Sequence, residues 1–222
     1  MSVEEFDPVG RVSISSSKLP GLLGLGYKSR YQTQAALRGI EADETTEGDF
    51  EVRAKNHGLF FEPKAAALFF ETHKEFTPIG NVSNQFTIGL RFNNSFTLSS
   101  TPDLFMRSPS GLVLLEIKCP YRACIDGNKN PEFRLSYLAQ IQSQLLVTGL
   151  RTAYLAIFVP PDSLQTYKIE RHPRYQKLLL QMCQASYQEN DPTQWRLRPG
   201  EKKTYTYLTR NVLLTHVEKL SQ

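Results

Sequence analysis

Between Thr101 and Tyr121 the chain reads TPDLFMRSPSGLVLLEIKCPY, a segment that leaves little freedom to the fold around it. From Leu112 to Ile117 it is apolar apart from Glu116, and this run predicts a buried strand. Side chains alternate faces along a strand, so Glu116 and Lys118 share one face while Ile117 points into the core. Ser108-Pro109-Ser110-Gly111 has the chemistry of a tight turn. That turn folds Asp103–Met106 back against the Glu116 strand. Asp103 then lies near Glu116 and Lys118, which places two carboxylates and an amine at the mouth of a hairpin.

Two carboxylates make a hard oxygen site of the kind Mg²⁺ prefers, completed by waters and substrate phosphate oxygens. A metal at such a site polarises a phosphoryl group and activates a water. Lys118 can orient that water or steady the developing negative charge. These residues together suit metal-assisted hydrolysis of a phosphodiester. A bare Asp…Glu-x-Lys also occurs by chance as a solvated ion pair on a surface hairpin. Pro102 before the aspartate, the apolar run before the glutamate and Cys119-Pro120 after the lysine set this one apart.

A length of 222 residues suits one large domain. The net charge of +4 leans weakly toward a polyanionic partner. Cys119, Cys124 and Cys183 are an odd and sparse set that gives no disulfide framework and suggests a reducing compartment. No signal peptide opens the chain, and no apolar run approaches the ~20 residues needed to span a membrane. The expectation is a cytoplasmic protein with no membrane partner.

In chain order, Arg11 precedes Ser15-Ser16-Ser17, which are placed to cap a short helix ending at Gly24 and Gly26. Serine hydroxyls, free amides and an arginine at a helix start also suit a phosphate. Residues 31–40 read as helix and 41–49 as an acidic, exposed loop. Val52–Glu75 has a helical pattern, with Leu59, Phe60, Ala66, Leu68, Phe69 and Phe70 as its apolar surface. Pro63 fits only a first turn or a kink. Glu62 stands among phenylalanines, where a carboxylate needs a partner, and a metal is one candidate. Residues 84–100 read as a hairpin broken at Asn93-Asn94, and 122–131 as a loop.

Phe133–Thr148 reads as a helix stopped by Gly149. Tyr137, Gln140 and Gln144 share one of its faces, and Leu138, Ile141, Leu145 and Leu146 form the opposite, buried one. Thr152–Val159 reads as a central strand, Gln165–Arg171 as another strand and Tyr175–Tyr187 as a helix. The tail from Gln194, with Trp195, Arg196, Arg198, Lys202 and Lys203, is basic and reads as solvated or in touch with nucleic acid. The order of elements predicts an α/β fold with a mixed sheet covered by helices on both faces.

The set Glu62, Thr101-Pro102-Asp103, Glu116-Ile117-Lys118-Cys119-Pro120-Tyr121 and Tyr137-Leu138-Ala139-Gln140-Ile141-Gln142 resembles the PD-(D/E)XK nucleases. Within them it is similar to the phage lambda exonuclease and YqaJ-type viral recombinase family. The likeness spans roughly Val52–Tyr187. It implies a restriction-endonuclease-like core in a single nuclease domain. Residues 1–50 would form a helical part that binds the DNA end, 51–190 the core, and 191–222 a basic tail.

The resemblance also implies an activity: 5′→3′ degradation of one strand of linear double-stranded DNA, leaving 3′ overhangs for recombination by strand annealing. It implies Mg²⁺, with Mn²⁺ able to substitute and two ions per site. A ring-shaped homotrimer and a single-strand annealing partner are implied as well. By residue, Asp103, Glu116 and the Ile117 backbone carbonyl would bind metal and Glu62 would complete a second position. Lys118 would position the water, and Gln140 would fix Lys118 or the nucleophile. Arg11 and Ser17 match the family's 5′-phosphate contacts, and Tyr137 joins the DNA-binding set. Iron–sulfur relatives carry four cysteines, and with three here no cluster is expected. A restriction-type or viral DNA/RNA endonuclease on the same fold, and a non-catalytic DNA-binding module, remain as alternatives.

Overall fold

The computed structural model describes residues 12–25, 30–37, 48–82, 86–92, 96–188 and 199–220. Its strands are β1 (Val12–Ser15), β2 (Thr77–Ile79), β3 (Ile88–Phe92), β4 (Phe96–Ser100), β5 (Leu104–Ser108), β6 (Gly111–Lys118), β7 (Thr152–Val159), β8 (Ser163–Glu170) and β9 (Val217–Leu220). Its helices are α1 (Leu19–Leu22), α2 (Arg30–Leu37), α3 (Asp49–Thr72), α4 (Tyr121–Ile125), α5 (Leu135–Thr148), α6 (Pro173–Gln188) and α7 (Pro199–Thr215). Six strands form one sheet, in the order β2-β5-β6-β7-β8-β9, and three form a smaller one, β1-β4-β3. In the large sheet β6 and β7 run parallel and the other neighbours antiparallel.

The hairpin expected around Ser108–Gly111 is present. Its strands pair from Leu104 with Leu115 to Ser108 with Gly111. The Ser108 hydroxyl donates to the Gly111 carbonyl at 2.9 Å, and Gly111 adopts φ +121°, a conformation open to glycine. This turn sets the register. One step beyond Leu104 and Leu115, Asp103 comes level with Glu116. The parallel β6–β7 pair needs a crossover, which α4 and α5 supply. Gly149 ends α5 in the left-handed conformation, φ +73°.

The sheet is buried on both faces. Val113, Leu115 and Ile117 of β6 and Tyr154, Ala156 and Phe158 of β7 pack with Ala65 and Phe69 of α3. Leu114 of β6 and Ala153, Leu155 and Ile157 of β7 meet Leu138, Ile141 and Leu145 of α5, backed by Phe96 and Leu98 of the small sheet. Glu116 shares the face of Leu114. It is 1% exposed, so it looks into the α5 core and not out of a hairpin mouth.

Other expectations change with the packing. Helix α3 starts at Asp49 and runs through Pro63 in its interior. The proline removes one i→i−4 bond, while Ala65 and Phe69 anchor the turns that follow it in the core. Leu59 and Phe60 are 60% and 63% exposed and do not belong to the buried surface. The N-terminal half of α3 lies beside α4, where Phe50 and His57 meet Tyr121.

The serines do not cap α1 directly. Its N-cap is Lys18, and the Ser15 hydroxyl accepts the Lys18 N–H at 3.3 Å. The expected loop at 122–131 opens inside α4. Residues 199–220, read as basic tail, form α7 and β9, and β9 closes the sheet edge on β8. Trp195, Arg196, Arg198 and most of the 41–49 loop lie outside the described residues. Among the described residues no helix is long and apolar enough to cross a membrane.

Candidate active site

The centre of the site is the Glu116 carboxylate. Lys118, two residues on along β6 and on the same face, donates from Nζ to Glu116 Oε1 at 2.5 Å. Gln140 Nε2 donates to the same oxygen at 2.5 Å, and Gln144 Nε2 donates to Oε2 at 2.6 Å. The two glutamines stand one turn apart on α5. The expectation that Tyr137, Gln140 and Gln144 share a face holds. The short gap after Lys118 lets that face pack back across the Glu116 strand, and both glutamines are buried against the sheet. A carboxylate taken out of water without such donors would cost several kcal/mol.

Asp103 enters from the start of β5. Its Oδ2 accepts the backbone N–H of Ile117 at 2.6 Å. The hairpin register and this bond together bring Asp103 to the Glu116–Lys118 end of β6. Glu62 approaches from α3, half-buried, within electrostatic range of Lys118 and Glu116. The sequence therefore placed Asp103, Glu116, Lys118 and Gln140 together correctly. Gln144 did not figure among its site residues. The signal for it was the i, i+4 spacing from Gln140.

The electrostatics follow from burial and crowding. Burial raises the Asp103 carboxyl well above the usual carboxylate range, and the charges of Glu116 and, to a smaller degree, Glu62 add to the rise. Lys118 and the Ile117 N–H pull the other way. Burial also raises Glu62, with Lys118 opposing and Glu116 reinforcing. For Lys118, burial alone would lower the pKa, but pairing with Glu116 and Asp103 outweighs it and holds the ammonium above its ordinary value. Burial, then the charges of Glu62 and Asp103, push the Cys119 thiol up to about 12, so it stays protonated. Cys119, Cys124 and Cys183 are all free thiols.

Ionised in full, three carboxylates against one ammonium leave two negative charges in this cluster. Like charges and burial press Asp103 toward protonation, and a divalent cation would relieve that pressure. Among the described residues no three His, Cys, Asp or Glu side chains form a closed ligand cage. Mg²⁺ needs none, because it binds through one or two carboxylates and completes its shell with water and phosphate oxygens. The donor set Asp103 and Glu116 suits that chemistry.

The remaining expected residues are dispersed. Tyr137 begins α5, half-buried, with the Arg134 guanidinium 6.0 Å from its ring. Burial raises its hydroxyl, and Arg134 and then Lys118 oppose. The Ile117 side chain lies in the α3 core. Ser17 is exposed in the turn before α1, its hydroxyl 3.0 Å from that of Ser15, and the structure does not bring it into the hydrogen-bonded cluster. Arg11 lies outside the described residues. An aromatic flank that the sequence did not reveal joins α3 to the sheet. His57 and Phe61 rings lie 4.6 Å apart, and Phe61 and Phe158 rings 6.0 Å apart.

No curated protein matches the sequence of this chain. Its fold is similar to that of LHK-Exo, an alkaline exonuclease from Laribacter hongkongensis, with a TM-score of 0.56 at 19% identity over 91% of this chain and 93% of that one. LHK-Exo in complex with dAMP matches with a TM-score of 0.57 at 18% identity, over 89% and 92% of the two chains. These likenesses speak to the fold, and the expected restriction-endonuclease-like core is borne out. A family model described as the YqaJ-like viral recombinase domain matches residues 5–151, well over half of the chain and including Asp103, Glu116, Lys118, Gln140 and Gln144, and the protein belongs to that family.

Proposed function

We propose that the protein is a metal-dependent exonuclease that degrades one strand of linear double-stranded DNA in the 5′→3′ direction, leaving 3′ overhangs for strand annealing. Family membership, fold and site chemistry support a nuclease. The observation that carries the reading is the Glu116 carboxylate, buried yet held by three donors, level with Asp103 and paired with Lys118. Such clustered and costly charge serves no packing purpose.

Asp103, Glu116 and the Ile117 carbonyl would hold Mg²⁺, or Mn²⁺ in its place, with Glu62 at a second position; the ion supplies a polarised phosphoryl group and an activated water. Lys118 steadies the negative charge that develops on the phosphoryl oxygens. Gln140 shares Oε1 of Glu116 with Lys118, so it keeps the ammonium in register with the carboxylate. Arg11, Ser17 and Tyr137 are assigned to the DNA, the first two to a terminal 5′-phosphate. The homotrimeric ring and the annealing partner belong to the same reading.

The test is digestion of end-labelled linear duplex with Mg²⁺, comparing 5′-phosphate with 5′-hydroxyl ends and with closed circular DNA. The reading expects linear duplex to be degraded from its 5′ ends, faster when phosphorylated, and Asp103→Ala or Glu116→Gln to abolish cleavage in a folded protein. Cleavage of closed circles as readily as linear DNA would favour a restriction-type endonuclease. Near-normal turnover in either mutant would sink the site assignment.

A further inference from the structure

We propose that Gln144 is a positioning residue that decides which oxygen Glu116 offers to a cation, an inference that rests on the nuclease reading above. Glu116 Oε1 receives two donors, Lys118 Nζ and Gln140 Nε2, each at 2.5 Å. A carboxylate oxygen has two lone-pair directions, so Oε1 is filled. Oε2 receives Gln144 Nε2 at 2.6 Å, and among the described residues no second donor is directed at it. The acceptor that Glu116 can still present is therefore on Oε2, and Gln144 aims it. Gln140 and Gln144, one helical turn apart, grip one oxygen each. The carboxylate cannot rotate to exchange the two without breaking both bonds.

A second observation points the same way. Gln144 is fully buried, and among the described residues its own Oε1 has no hydrogen-bond partner. Reversing the amide would not help, since it would set that oxygen against Glu116. An apolar side chain of the same length would remove this unpaired oxygen but strip Glu116 Oε2 of its donor. Packing alone does not call for a glutamine at this place, and the task visible in the structure is its bond to Glu116. Neighbours that orient a metal-binding carboxylate typically change metal affinity or activity by about 10–100-fold when removed.

The experiment compares wild type with Gln144→Met, which keeps the volume, and Gln144→Asn, which keeps the amide but withdraws it from reach. Mn²⁺ affinity is measured by calorimetry, kcat and KM on linear duplex are separated, and Tm is recorded without metal. The expected result for both variants is a loss of Mn²⁺ affinity on the order of 10–100-fold and a fall in kcat. KM for duplex should hold in both, and Tm should fall in both, because each withdraws a donor from a buried carboxylate. In a Glu116→Gln background, Gln144→Met should weaken Mn²⁺ binding no further.

Unchanged Mn²⁺ affinity and kcat, with a shift in Tm alone, would overturn the inference and leave the nuclease reading standing. Failure of both variants to fold would also overturn it, by making Gln144 a structural residue. A wild type that neither binds Mn²⁺ nor cleaves duplex would overturn the nuclease reading, and this inference with it.

Discussion

Replacing Lys118 with methionine keeps the side-chain stem and removes the ammonium. In the folded protein that ammonium is one of the two donors on Glu116 Oε1 and opposes the negative charges that crowd Asp103 and Glu62. Its loss acts on two quantities in opposite directions. A donor aimed at charge that develops in the transition state is worth about 2.7–4 kcal/mol. At about 1.36 kcal/mol per decade, Lys118→Met should lower kcat by about 10²–10³. Binding of a divalent cation should hold or tighten, because the lysine competes with that cation for Glu116 and its removal leaves three carboxylates unopposed. The assay is single-turnover degradation of end-labelled linear duplex at saturating Mg²⁺, paired with calorimetric titration of Mg²⁺. A rate within about tenfold of wild type would show that Lys118 does not stabilise the transition state. Lost Mg²⁺ binding would make Lys118 a structural counter-ion and refute the competition.

Glu62→Ala should slow degradation without lowering Tm, since burial and Glu116 already disfavour the ionised carboxyl; normal turnover with a raised Tm would make Glu62 purely structural. Asp103 and Glu62 both have raised carboxyls, so their contribution to stability is complete below the ordinary carboxylate range and is lost as pH rises through their folded values. Mg²⁺ competes with those protons, so the increase in Tm on adding Mg²⁺ should grow with pH. Thermal melts with and without Mg²⁺ across a pH series check this, and an increment that shrinks with pH contradicts it. Phe69→Ala empties a fully buried site whose ring lies 5.3, 5.7 and 6.3 Å from those of Phe70, Phe76 and Tyr154. It should cost about 3–5 kcal/mol by denaturant unfolding, and a near-zero loss would mean that α3 is not anchored there.

The β5–β6 hairpin was legible in the sequence because all its determinants are local. An apolar run marks the strand, Pro-Ser-Gly chemistry marks the turn, and a two-residue connection leaves one register. That register alone brings Asp103 to Glu116, with no knowledge of the rest of the chain. Helix α5 was legible for the same reason: a helical period closed by Gly149. Of the small sheet, the β3–β4 hairpin was legible, and β1 was not. Val12–Ser15 pairs with Phe96–Ser99 in parallel, and pairing between such distant segments leaves no mark on either one. Strand β9 was hidden likewise, since Val217–Leu220 becomes a strand by closing on β8 within a stretch that reads as basic tail.

The site divides along the same line. Alternation determined that Glu116 and Lys118 share a face, and helical spacing that Gln140 and Gln144 share one. What each face meets depends on the second layer, which periodicity does not encode. The short gap after Lys118 already pointed α5 back across the Glu116 strand, and tertiary structure decided how closely it sits there. A carboxylate read as standing at a hairpin mouth is instead enclosed, and two glutamines read as a polar helix face become its donors. Burial of that charge, which gives the site its electrostatics, comes from packing between segments remote in the chain.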